Sequence, residues 1–275
     1  LEPESGFGVG VIIFDNVQKL SESFVAAAGR DHTSLKNLLQ NKSLCGHMSA
    51  SNVVVVTGCT QGLGYHAVKK FATDLANDTQ GSLKYDCVVL CCRNVAAAKK
   101  AVEALAKQTK CDPSKLVVLE EGCNLCEMWS VRAYAAALKT FLGERKIISL
   151  VNNAGIGGNP TYKKTSQGFD IIWATNHLGH FLLTILLLRH LAPGSRIVNV
   201  SSGVHDPANK TQLPDADQYW PQTKDEYDQR LARGEPFTGD SASQSGARRY
   251  SRSKLCNVLF TNELARRLSG AVPYA

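Results

Sequence analysis

No charge of one sign is gathered into a long tract. The 31 basic and 24 acidic residues leave a net +7. The densest basic cluster is Arg248, Arg249, Arg252 and Lys254, with Arg266 and Arg267 further on. A solvated helix face and a site for an anionic cofactor are both open to it. No zinc-finger spacing, aromatic RNA-binding signature or basic repeat accompanies the cluster, so no nucleic-acid partner is expected. Unbroken apolar runs are also short. Cys87–Cys92 and Ala133–Leu138 are among the longest, far below the roughly 20 residues of a bilayer span, and no transmembrane segment is expected. The nine cysteines lack the even count and spacing of a disulfide framework. With Cys91 and Cys92 adjacent in an apolar run, they read as buried thiols of an intracellular, reducing compartment, cytoplasm or organelle interior alike. Cys123 and Cys126 have CxxC spacing but no second pair or histidine set, so no metal site is expected.

The composition is otherwise that of a globular chain. Of 275 residues, 44% are hydrophobic and 20% charged, enough for a large core. Residues 1–47 read as an extension of unknown role, a partly helical flap whose one apolar segment is Val9–Phe14. Met48 then opens a domain running to residue 275. Its pattern is strand–helix alternation, with strands at Val53–Val56, Tyr85–Cys92, Lys115–Leu119, Ile147–Val151 and Arg196–Val200. Between them helical apolar spacing marks Gly64–Leu75, Ala96–Ala106, Met128–Leu142 and Phe169–Leu191. Five strands with helices between them predict an α/β fold, a doubly wound parallel sheet of Rossmann-like type. Residues 203–247 interrupt the rhythm as a long insertion, and helical spacing resumes from Arg248 to about Leu268.

Three places carry chemistry. The turn Thr57-Gly58-Cys59-Thr60-Gln61-Gly62-Leu63-Gly64 lies between the first strand and the first helix, where glycines let a pyrophosphate meet backbone and helix N-terminus. Arg93 follows the second strand, where dinucleotide folds read the adenosine ribose. An arginine there suits a 2′-phosphate, hence NADP before NAD, or serves as a surface cation. Tyr250 and Lys254 are four apart on a predicted helix and so share a face. A nearby ammonium is expected to lower the phenol pKa and bring general acid–base catalysis within reach.

Together with Asn152-Asn153-Ala154-Gly155 after the fourth strand, Asn176 in Asn-His-Leu-Gly-His-Phe, and Ser201-Ser202 after the fifth, these motifs resemble the short-chain dehydrogenase/reductase family over roughly residues 52–270. Cys-Cys-Arg-Asn at 91–94, NHLGHFLLT at 176–184 and SKLCNVLF at 253–260 are most similar to its retinol dehydrogenase and protochlorophyllide oxidoreductase branch. The resemblance implies hydride transfer between NADP(H) and a hydrophobic alcohol or carbonyl, with Tyr250 as general acid/base. Lys254 would hold the nicotinamide ribose, Ser202 the substrate oxygen, and Asn176 a water linking the lysine to solvent. Gly58, Thr60, Gln61, Gly62, Leu63 and Gly64 would line the pyrophosphate, with Asn153, Ala154 and Gly155 beside the adenosine. Asn124 stands where the family has an aspartate touching adenine. A tetrapyrrole double-bond reductase and a non-catalytic NADP(H)-binding regulator are the alternatives, and a homodimer through the long helices is a further implication. Relatives also have two more strands after the Tyr/Lys helix, so the sheet is expected to be incomplete at its C-terminal end.

Overall fold

A computed structural model of the chain describes residues 9–13, 52–81, 84–157, 161–205, 225, 229 and 246–269. Most of the insertion, and of the extension, lies outside these described residues.

Six strands form one sheet: β1 (Val9–Ile13), β2 (Asn52–Thr57), β3 (Cys87–Cys91), β4 (Leu116–Val117), β5 (Lys146–Asn152) and β6 (Leu191–Val200), in the order β1-β6-β5-β2-β3-β4. The five from β2 to β6 are parallel, and β1 pairs antiparallel to β6 with Val9 opposite Val200 and Ile13 opposite Arg196. The extension therefore contributes an edge strand at residues 9–13, where the sequence suggested a partly helical flap. β2 and β3 are buried nearly throughout, which is why they read as unbroken runs of Val, Leu and Cys.

The helices α1 (Gly62–Asn77), α2 (Val95–Thr109), α3 (Met128–Leu142), α4 (Ile171–His190) and α5 (Gly246–Ser269) cover the two faces. Alternation along β2 divides the core. Val53 and Val55 face Leu138, Leu183 and Leu264 of α3, α4 and α5, while Val54 and Val56 face Val68, Leu75 and Leu105 of α1 and α2. Sheet order progresses outward on both sides of β2, so a crevice opens beyond the carboxyl ends of β2 and β5.

Two features of α4 depart from the sequence reading. Ala174–Leu178 forms a π-turn within the helix, of the kind that re-aims backbone groups. An 18-residue window of this 20-residue helix has a mean hydropathy of 1.6, so among the described residues one helix is long and apolar enough to cross a membrane on those grounds alone. Counting unbroken runs missed it, because Asn176, His177, His180 and Thr184 interrupt the apolar residues without adding an acid, lysine or arginine. Those on its inner side (Asn176, His180 and Thr184) are buried against the rest of the fold.

Gly179 allows α4 its close approach to the loop before α3: a Cβ there would lie 2.2 Å from the Leu125 carbonyl oxygen. A backbone oxygen cannot swing aside as a side chain can. Gly179→Ala is expected to destabilise the fold by about 2 kcal/mol through overpacking, read as a lower midpoint in denaturant unfolding.

Candidate active site

The turn after β2 is shaped by close packing. Gly58 has φ +64°, and a Cβ on it would stand 2.6 Å from the Ala154 Cα. Asn153 Nδ2 donates to the carbonyls of Thr57 and Gly58 at 3.0 and 3.1 Å, closing the β2 turn on the β5 turn. Gly62, with φ +59°, has open space where a side chain would be. Gln61 caps α1 without a side-chain hydrogen bond, so the helix N-terminus keeps donors for an anion.

These groups face a cleft of about 480 Å³ that runs from Arg93 to Tyr250. Gly58, Thr60, Gln61, Gly62, Leu63, Arg93, Asn124, Asn153, Ala154, Gly155, Tyr250 and Lys254 all line it. Gly64, Ser202 and Asn176 do not. Gly64 packs beneath, where a Cβ would come within 2.3 Å of the Gly58 oxygen, so its part is helix–strand approach rather than contact with a ligand. A larger groove of about 1070 Å³, between α1 and the outer faces of β5 and β6, holds none of these residues.

At the inner end Ser202 hydrogen-bonds the Tyr250 phenol. Burial raises the Tyr250 pKa, and this bond opposes part of the rise. Lys254 Nζ lies 5.6 Å from the Tyr250 ring centroid and donates to the Val200 carbonyl at 3.0 Å. Burial brings its own pKa down to about 8. The expected lowering of the phenol pKa is thus not found in this state: the ammonium is engaged by a carbonyl, and desolvation of the phenol dominates.

Asn176, fully buried on the π-turn, is a clamp. Its Oδ1 accepts from Ile156 N at 2.8 Å, and its Nδ2 donates to Ile156 O at 3.0 Å and Ser253 Oγ at 2.9 Å. Ser253 Oγ in turn donates to Tyr250 O at 2.7 Å. The Asn176 main-chain carbonyl accepts from Asn257 Nδ2 at 3.2 Å. Beside this cluster Arg249 and Asp170, both buried, form an ion pair at 3.2 Å that joins α5 to the start of α4. Burial nonetheless raises the Asp170 pKa, outweighing the Trp173 N–H bond and the Arg249 charge.

At the outer end Asn124, which lines the cleft, accepts at Oδ1 from the Cys126 thiol at 3.3 Å. Cys92, Cys126, Gly157, Thr175 and Val200 are also among the walls. For Cys92 and Val200 a position at a strand end was the available signal; Thr175, on the π-turn, had none. Ser253, Asn257 and His180, behind the wall, lie in the motifs at 253–260 and 176–184 that carry the family resemblance, but nothing in their spacing named their partners.

The comparisons with known proteins agree with this geometry. The family model for short chain dehydrogenases matches residues 52–212. The chain belongs to that family. It is 39% identical over 223 residues to human retinol dehydrogenase 11 and 38% identical over 222 residues to human retinol dehydrogenase 12, which sets it in the retinol dehydrogenase branch. These matches take in 80% and 79% of the chain, which spans only 57% of the length of each relative. Among solved structures, an uncharacterized protein from Mycobacterium paratuberculosis superposes with a TM-score of 0.53 at 29% identity, covering 82% of this chain and 68% of that one.

Lys254 carries a consequence for stability. Between about pH 8 and the ordinary 10.5 the unfolded chain binds a proton at Lys254 that the folded chain does not. Stability therefore rises with pH across that window, and below it the fold bears the whole cost of the buried charge. That cost is at most ~3 kcal/mol, offset by roughly 1 for the Val200 bond. Lys254→Met is expected to raise the thermal midpoint at pH 7, by the equivalent of about 1 kcal/mol, and to flatten the pH dependence of unfolding above pH 8.

Proposed function

We propose that the chain is the dinucleotide-binding and catalytic part of an NADP(H)-dependent oxidoreductase acting on a hydrophobic alcohol or carbonyl. The observation that carries this reading is the meeting of Tyr250 and Lys254 at one end of a cleft, with Ser202 bonded to the phenol from behind, while the other end holds the glycine turn and Arg93. The residues present fit a dinucleotide. A Cβ on Gly58 would collide with the facing turn, Gly62 leaves backbone open at the α1 N-terminus, and Arg93 stands exposed at the far wall. The names of the two retinol dehydrogenases support an apolar alcohol or aldehyde as the substrate class.

A bound NADPH would supply the hydride. The protein's part is to place the acceptor and manage the proton. With its pKa raised by burial, Tyr250 is protonated at neutral pH, the state a proton donor to a carbonyl oxygen needs. The Ser202 hydroxyl, bonded to the phenol, supplies a second donor to the negative charge that grows on that oxygen. Lys254, with a pKa of about 8, both gives and takes a proton near neutrality and suits resupply of the phenol.

Arg93 gives the cofactor preference, its guanidinium matching a 2′-phosphate at the adenosine end.

Tyr250→Phe is expected to lower kcat for aldehyde reduction by about 10²–10⁴ while NADPH still binds within a few-fold of the original affinity. Steady-state rates and fluorescence titration of NADPH check this. Equal rates in the two proteins would remove Tyr250 from the chemistry, and tight NADPH binding without turnover in either would favour a nucleotide-binding regulator.

Arg93→Ala is expected to weaken NADPH roughly 10- to 100-fold, as loss of a charge-assisted contact does, and to leave NADH little changed. Parallel titrations with the two nucleotides measure the difference.

A further inference from the structure

His177 and His180 lie three apart on α4, a spacing that suggests metal ligands, and the proposed reaction uses neither. His180 is 2% exposed, and both of its ring nitrogens have partners. Nδ1 lies 3.1 Å from the Asn176 main-chain oxygen. A carbonyl only accepts, so Nδ1 carries the proton. Nε2 is then a bare lone pair, and the Thr57 hydroxyl 2.8 Å away must donate to it. With its proton so directed, Thr57 Oγ1 turns its lone pairs to the N–H groups of Asn153 and Ala154, at 2.9 and 3.0 Å. Donors and acceptors match one to one along this path.

The path has two ends that matter. Asn153 and Ala154 form the wall of the cleft next to the glycine turn. Asn176 clamps Ile156 and reaches Ser253 and, through it, the backbone of Tyr250. An apolar side chain would fill the same volume without the cost of burying two ring nitrogens. It would also leave the Thr57 hydroxyl without an acceptor to fix its direction. Burial brings the His180 pKa down to about 4, so the ring stays neutral and the sense of the path does not reverse near neutral pH.

We propose that His180 is a positioning residue that couples the dinucleotide-facing turn to the proton-transfer cluster, one ring nitrogen orienting Thr57 and the other holding the Asn176 carbonyl on the π-turn. The proposal rests on the reading of the cleft as a nicotinamide dinucleotide site.

Two substitutions separate the ends. In His180→Asn the amide nitrogen takes the Nδ1 position, keeping the bond to Asn176 and giving up Thr57. In His180→Gln the longer side chain reaches Thr57 and gives up Asn176. His180→Asn is expected to weaken NADPH about tenfold and to lower kcat by less, whereas His180→Gln lowers kcat about tenfold and weakens NADPH by less. A fall in both quantities by the same factor in both variants would reduce His180 to packing and overturn the proposal. A second measurement does not depend on turnover. Long-range ¹H–¹⁵N spectra of the histidine-labelled full chain are expected to show His180, assigned by its loss in His180→Asn, as the neutral Nδ1-protonated tautomer, with a shifted Nε2 resonance in Thr57→Val. An Nε2-protonated ring, or one unmoved by Thr57→Val, would overturn the proposal. A chain that binds NADPH and turns over no carbonyl would overturn the oxidoreductase reading alone; the tautomer and the titration would still decide the role of His180.

Discussion

Buried polar atoms have to find partners among one another, and behind the cleft Asn152, Thr184, Asn199, Asn257 and Thr261 do so, with Asn152 Oδ1 left over. This requirement sets the architecture behind the site. Asn152 Nδ2 donates to Thr184 Oγ1 and Asn199 Oδ1, Asn199 Nδ2 to Thr261 Oγ1, and Thr261 Oγ1 to Asn257 O. The carboxyl ends of β5 and β6 are thereby laced to α4 and α5 by amides and hydroxyls where the rest of the core uses Leu and Val. Such a lattice is costly to rearrange, so it fixes the register of the helix bearing Tyr250 and Lys254 on the strands that lead to Ser202 and Asn153.

Within that frame the cluster around Tyr250 is held against its own preferences. A lysine is desolvated, a tyrosine is buried, and an ion pair between Arg249 and Asp170 is closed off from solvent beside them. None of these is a cheap way to build a core. Their common effect is to hold α5 and the start of α4 in one relation, with the pKa of Lys254 brought down to about 8.

The fold was largely legible in the sequence because its signals are local. β-branched runs marked buried strands, the 3.6-residue spacing marked helices, and the turns after β2, β3 and β5 supplied most of the cleft wall. What was not legible depends on depth and on partners distant in the chain. A four-residue spacing put Tyr250 and Lys254 on one face but did not say that the ammonium would point at the Val200 carbonyl, which is why the sense of the Tyr250 shift came out opposite to the expectation. The π-turn at Ala174–Leu178 and the bonds of His180 and Asn257 join residues as far as 123 positions apart, as Thr57 and His180 are. The strand at residues 9–13 is set by its pairing to β6, for which its own composition gave only an apolar segment.

That strand has an effect on how the molecule assembles. Residue 9 meets residue 200 and residue 13 meets residue 196, so the outer rung of the sheet closes a very long loop of chain. Contacts of such separation form late, after the entropy of a very large loop has been overcome. Until then the outer edge of β6 presents unpaired amides and carbonyls, a template for any other extended segment nearby. The N-terminal strand thus acts as a molecular selvedge, finishing an edge that would otherwise be open to fraying or to capture by another chain.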